Sequence, residues 1–227
     1  MNKLVLFDID GTLIDSGEAG TRALTNSFRQ IFSIKDAFAG IRMAGKTDIQ
    51  IIKECMAVHG LQSGDNILSS VLSEYLNNLR IEVNNNRKRL HPGVIELLNS
   101  LKTMEGYWLG LLTGNIEKGA RIKLEVFDLN DYFPIGAFGS DDEDRNRLLP
   151  IVVKKFREMM NPDFNYKDCI VIGDTPLDVQ CAKPHGATTI VVSTGPYSYE
   201  SLLETKADYV LRGMSYALDL VDELKGG

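Results

Sequence analysis

Short apolar runs that end in polar turns recur along this chain, with helical spacing between them. Lys3 to Asp8 reads as a buried strand, and Leu109–Leu112 as a second, ending at Thr113-Gly114-Asn115. Cys169–Ile172 is a third, ending at Gly173-Asp174-Thr175, and Thr188–Val192 a fourth; Asp208–Leu211 suits a last edge strand. Continuous rather than alternating apolar runs fit a sheet buried on both faces. Gly93–Leu101, Arg121–Leu129, Leu148–Met159 and Pro176–His185 carry helical periodicity, the last stopped by Gly186. Strand alternating with helix predicts an α/β fold with a mostly parallel sheet and right-handed crossovers.

One stretch breaks the alternation. From about Ser16 to Arg89 no strand is evident, and Ala23–Phe32, Asp48–His59 and Ile67–Val83 read as helices. The polar run Asn84 to Arg89 precedes a new start at Pro92-Gly93. Residues 1–15 and 91–227 are therefore expected to form the core, and residues 16–90 an inserted helical unit.

Composition narrows the function classes. The 227 residues are 44% hydrophobic and 25% charged, enough to bury a sizeable core, and the formal net charge is −6. An acidic chain repels phosphate backbones and anionic lipid, so neither nucleic acid nor membrane is an expected partner. Leu4–Phe7 is too short, and too soon followed by Asp8 and Asp10, for a signal peptide or spanning helix. The three cysteines, Cys55, Cys169 and Cys181, never stand at C-x-x-C spacing, which disfavours disulfides or structural zinc. Reduced thiols in a cytoplasmic protein are expected.

The chemistry concentrates at strand ends, where open α/β sheets bind ligands. If the first strand lies beside Cys169–Ile172, Asp8, Asp10, Asp174 and Asp178 meet, with Thr113 arriving from the other side. Two like charges about 4 Å apart repel by roughly 4 kcal/mol at an intermediate dielectric, so such a cluster calls for a cation. Carboxylate ligands beside an anionic substrate suit Mg²⁺. The alternative is that these aspartates only cap helices and end turns.

Asp8-Ile9-Asp10-Gly11-Thr12-Leu13 resembles the D-x-D-G-T-L signature of the haloacid dehalogenase-like hydrolases. Leu112-Thr113-Gly114-Asn115, a basic residue before a helix, and Gly173-Asp174-Thr175-Pro176-Leu177-Asp178 follow in that superfamily's order. The helical insertion resembles the C1 cap of the phosphoglycolate phosphatase-like branch. The resemblance implies a Rossmann-like three-layer core with an inserted helical cap, and Mg²⁺-dependent hydrolysis of a small phosphorylated metabolite. It further implies Asp8 as nucleophile and Asp10 as general acid and base. Asp8, the Asp10 carbonyl and Asp174 would hold Mg²⁺, with Asp178 orienting its water shell. Thr113 and nearby backbone N–H groups at Gly114 and Asn115 would receive the phosphoryl oxygens.

The basic motif departs from the family's usual Lys. In Asp144-Arg145-Asn146-Arg147-Leu148-Leu149-Pro150, counting back from Pro150 places Arg145 at that position, with Arg147 and Lys154 as further candidates. A guanidinium can hold a phosphoryl group bidentately. In the helical insertion, Arg42 and Lys46 lie in a loop where related enzymes reach the substrate; Asp48 is a good N-cap, and the loop alternatively does no more than cap. The run Asp141 to Asp144 suits a solvated loop before a helix, and His59, His91 and His185 lack metal-ligand spacing. Trp108 and Met43 suit packing.

Phosphoglycolate is the first substrate this reading suggests. A β-phosphoglucomutase-like phosphomutase shares the motifs. A phosphonoacetaldehyde hydrolase would need Lys46 as a Schiff-base amine. Dehalogenation is disfavoured by Asp10, and a non-catalytic phosphate-binding module by the presence of all four aspartates. A monomer and a homodimer are equally compatible with the sequence.

Overall fold

The computed structural model describes residues 2–217 and Leu220; the sequence-assigned core runs on to 227, so 218–219 and 221–227 lie outside the described residues. Six parallel strands form the main sheet: β1 (Lys3–Phe7), β4 (Tyr107–Thr113), β5 (Ile135–Phe138), β6 (Cys169–Gly173), β7 (Thr188–Val192) and β8 (Tyr209–Leu211), in the order β5-β4-β1-β6-β7-β8. β1 is central, paired with β4 on one side and β6 on the other. The strand order reverses there, which opens a crevice at the strands' carboxyl ends.

Helices cover both faces, as the continuous apolar strands require. On one face Val5 and Phe7 pack with α4 (Val94–Thr103) and α5 (Glu117–Glu125). On the other, Leu4 and Leu6 pack with α6 (Leu148–Met159) and α7 (Pro176–Ala182). A short α8 (Tyr199–Leu203) precedes β8. The result is the expected three-layer α/β core.

A separate apolar cluster joins α1 (Ala19–Phe32), α2 (Asp48–Val58) and α3 (Asp65–Glu82). Ile116 and Ile122, flanking and within α5, belong to it, so α5 faces both the sheet and the inserted helices. The chain passes between core and helices through a two-stranded antiparallel ladder, β2 (Ile14–Asp15) with β3 (Arg89–Leu90). No helix among the described residues is long and apolar enough to cross a membrane.

The elements differ from the sequence expectation at several points: the β2–β3 ladder and α8 add short elements, and three others differ in presence or extent. β5 was not anticipated, because Gly136 interrupts a four-residue strand; the close approach of the Phe138 ring and Leu111 leaves no room for a side chain there. α5 spans 117–125 rather than 121–129: the Leu129 N–H turns back to the Leu124 carbonyl, and Asp128 takes a left-handed conformation that ends the helix. α7 stops at Ala182, and residues 183–185, including Pro184, continue as a tighter turn closed by Gly186.

Phe28 is fully buried in the helical cluster, its ring 4.8 Å from that of Phe38 and 5.2 Å from that of Phe32. Phe28→Ala should lower stability by about 3–5 kcal/mol in urea unfolding. A loss below about 1 kcal/mol would show that this cluster is not cooperatively packed.

Candidate active site

Asp8 follows β1 and Asp174 follows β6, so the register of these paired strands brings the two carboxylates together. Asp178 joins them from the first turn of α7, and all three offer oxygens within 4.8 Å of one another. The turn after Asp10 is tight because Gly11 adopts φ +79°, and a side chain there would collide with the Asp174 carboxylate.

Arg145 faces this cluster and is almost wholly buried. Its guanidinium lies 3.4 Å from Asp8 Oδ1 and forms an ion pair with Asp178 Oδ1. It also donates to the Gly45 carbonyl at 2.9 Å. Arg147 instead pairs with Asp142 on the surface, and Lys154 is exposed beside Glu158. Of the three basic candidates, the structure brings only Arg145 to the carboxylates. It is carried by a short turn whose N-cap, Asp144, accepts from Asn146 N–H.

The charges do not balance internally. Burial pushes Asp8 up to about 6 against the pull of Arg145, and burial together with the Asp8 charge pushes Asp174 well above the usual carboxylate range. Three carboxylates against one guanidinium leave two negative charges, which a divalent cation would offset. Both Asp178 oxygens are already engaged, Oδ1 by Arg145 and Oδ2 by the Thr175 N–H and hydroxyl. Asp8 and Asp174 are therefore the freer ligands.

Asp10 stands nearby in a different setting. Its Oδ1 accepts from Ser16 at 3.0 Å, and its Oδ2 from Asn115 Nδ2 at 2.9 Å and Lys123 Nζ at 2.6 Å. Burial would raise it, but the Lys123 ammonium and the donors from Asn115 and Ser16 hold it below the usual range. Thr113 is fully buried at the end of β4, its hydroxyl oxygen accepting from Asn115 Nδ2 at 2.9 Å.

The inserted helices meet the core here. The Asp48 N–H donates to the Gly114 carbonyl at 2.8 Å, and Asp48 Oδ2 accepts from the Ile116 N–H at 2.9 Å. Gly114 is needed for this approach, since a side chain there would overlap the Lys46 carbonyl. The N-cap of α2 is Thr47 rather than Asp48: Thr47 Oγ1 accepts from Gln50 N–H, which frees Asp48 to bridge to the backbone after β4.

A cavity of about 540 Å³ opens between the strand ends and the helices. Asp8, Asp10, Thr113, Asn115, Arg145 and Asp174 line its floor, and Leu24, Met43, Ile51 and Tyr75 its far side. Met43, expected only to pack, thus also faces the cavity. Lys46 lines it too, with its ammonium paired to Glu54, whereas Arg42 is exposed and outside the lining. The remaining singled-out residues sit apart. Asp141 caps β5 and pairs with Lys155, and Trp108 packs on Phe156. Burial pushes the thiols of Cys55 and Cys169 up to about 12 and Cys181 to about 11, as suits inert packing groups.

Lys123, Asp48 and Tyr75 were not anticipated as site residues. The signal for Lys123 was a lysine on the buried face of a helix, between Ala120 and Leu124, a place where an unpaired ammonium is rarely found.

Residues 5–192 match the family model described as haloacid dehalogenase-like hydrolase. The chain is 29% identical over 210 residues to the phosphoglycolate phosphatase of Rhodospirillum rubrum, covering 88% of this chain and 83% of that protein. It is 24% identical over 220 residues to the pyrophosphatase PpaX of Halalkalibacterium halodurans, covering 96% and 95%. Its fold is shared with a hydrolase from Pseudomonas syringae (TM-score 0.73, 21% identity, 99% of each chain). It is also shared with CbbY from Rhodobacter sphaeroides in complex with phosphate (TM-score 0.73, 17% identity, 95% and 96% covered). The chain belongs to the haloacid dehalogenase-like hydrolase family, in its phosphoglycolate phosphatase-like branch, and is an enzyme.

Burial, opposed by the Lys123 charge, lifts Asp48 from 3.8 to about 6, so ionising it opposes folding. The cost is absent below about pH 4 and grows to about 3 kcal/mol as pH rises through 6 toward neutrality. Asp48→Asn keeps an acceptor for Ile116. Its stability relative to the parent should therefore rise by about that amount between pH 4 and 7.5 in urea unfolding. Parallel profiles for the two proteins would remove Asp48 as the source.

Proposed function

We propose that this hydrolase is a Mg²⁺-dependent phosphatase that cleaves a phosphomonoester of a small organic alcohol through a phosphoryl group carried on Asp8. The observation that supports it most is the pairing of two carboxylate settings. Asp8 is buried with Asp174 and Asp178 opposite Arg145, while Asp10 stands at the same floor amid hydrogen-bond donors.

In this reading Asp8 attacks phosphorus, and the bond from phosphorus to the ester oxygen breaks. Asp10 takes up a proton as the anionic substrate binds beside it, and gives that proton to the departing alkoxide. The Asp10 carboxylate then takes a proton from water as that water attacks phosphorus, releasing phosphate and restoring Asp8. The Thr113 hydroxyl and the Gly114 and Asn115 N–H groups receive the phosphoryl oxygens, and the Arg145 guanidinium offsets their charge. Asp8, Asp174 and the Asp10 carbonyl would hold Mg²⁺, with Asp178 and Arg145 keeping the ligands in place. When bound, the ion supplies charge compensation to the transferring group.

The cavity favours an organic leaving group. Its far side presents Leu24, Met43 and Ile51, apolar surface that a second inorganic phosphate would not use. Residues 16–90 then act as a cap over the core formed by 1–15 and 91–227, with Lys46 as the cap-loop cation nearest the substrate. Arg42 is exposed and stands outside the cavity lining. A Schiff-base role for Lys46 is not supported, because its ammonium is held by Glu54.

Hydrolysis of a panel of phosphorylated metabolites by metal-stripped protein, before and after Mg²⁺ is returned, tests the reading. Activity should appear only with the metal and fall to background in Asp8→Asn. Full activity without metal, or in Asp8→Asn cleared of contaminating phosphatase, would overturn it. Asp10→Asn should lose about a hundredfold to ten-thousandfold in kcat on an alkyl phosphate.

A further inference from the structure

Lys123 is the buried cation that this mechanism leaves without a task. Its side chain is 5% exposed, yet it stands on α5, outside the four motifs that carry the resemblance. Its Nζ reaches Asp10 Oδ2 and Asn115 Oδ1, each at 2.6 Å. Asn115 Nδ2 closes the triangle on the same Asp10 oxygen at 2.9 Å. Gly20 in α1 lies directly above: a side chain at this position would sit 3.2 Å from Nζ. An ammonium so enclosed is held in one geometry, and so is the carboxylate it binds.

We propose that Lys123 is the positioning residue for the acid–base carboxylate of Asp10. The proposal rests on the acid–base role assigned to Asp10 above. Lys123 and Asn115 together fix Asp10 Oδ2, and Ser16 donates to Oδ1 at 3.0 Å, so the carboxyl plane cannot rotate freely. When Asp10 passes its proton to the departing oxygen, one O–H bond breaks and one forms, and a negative charge remains on the carboxylate. The ammonium is already in place to meet that charge, with no rearrangement at the moment of transfer. Lys123 touches neither phosphorus nor the nucleophile. Its effect should therefore follow the need for proton donation and nothing else.

That separates it from a structural lysine. The rate of the first phosphoryl transfer is measured in single turnover, with an alkyl phosphate and with 2,4-dinitrophenyl phosphate, whose leaving group needs no proton. Lys123→Met should slow the alkyl ester by about tenfold to a hundredfold and the dinitrophenyl ester by less than about threefold. In the Asp10→Asn background, Lys123→Met should add little further loss on the alkyl ester, because the group it positions is already gone. Equal losses on both esters, or losses that multiply in the double variant, would overturn the proposal. Lys123→Gln, which keeps an N–H donor, covers the case where the methionine variant does not fold; it should show the same selectivity at smaller amplitude, and an equal loss on both esters would again overturn it. An Asp10→Asn variant that slows both esters alike would instead remove the acid role of Asp10, and an inactive parent enzyme would remove the phosphatase reading.

Discussion

Three carboxylates that burial and mutual repulsion would drive apart are held within 4.8 Å by the backbone of two neighbouring strands and the first turn of a helix. The parallel pairing of β1 with β6 sets where Asp8 and Asp174 emerge, and nothing in their own chemistry favours the meeting. Arg145 offsets part of the charge, and the remainder is what a divalent cation would offset. Much of the surrounding structure serves this arrangement: apolar strands buried on both faces give a rigid sheet, and Gly11 lets the chain turn beside the Asp174 carboxylate.

The second organising contact is between the inserted helices and the loop that follows β4, Thr113 to Ile116. Asp48 exchanges hydrogen bonds with Gly114 and Ile116, Gly45 accepts from Arg145, and α5 contributes Ile116 and Ile122 to the helices' apolar cluster. A displacement of the helices would thus be felt at Thr113 to Ile116, and through Asn115 and Lys123 at Asp10. The inserted helices and the Asp10 carboxylate are mechanically linked through one short helix.

The strand-end aspartates were legible in the sequence because their spacing within D-x-D-G-T-L and G-D-T-P-L-D fixes their place relative to apolar runs. Arg145 was legible by its distance from Pro150, although only the structure separates it from Arg147. The signal for Lys123 needs the helix to start at Glu117: a helix placed at 121–129 leaves out Ala120, whose buried face Lys123 shares. Arg42 and Lys46 share a loop, but which side chain faces the cavity depends on the loop's path, which residue spacing does not encode. β5 escaped notice because its glycine answers to a packing need between strands rather than to a turn.

The central claim is that Asp8 itself carries the phosphoryl group. Acid quenching during a single turnover with a phosphate-labelled metabolite that the enzyme hydrolyses, followed by peptide mapping, tests it directly. The label should appear transiently on the peptide containing Asp8, be sensitive to hydroxylamine as an acyl phosphate is, and be absent from Asp8→Asn. Product formation with no labelled peptide at any time, or with the label on another residue, would contradict it.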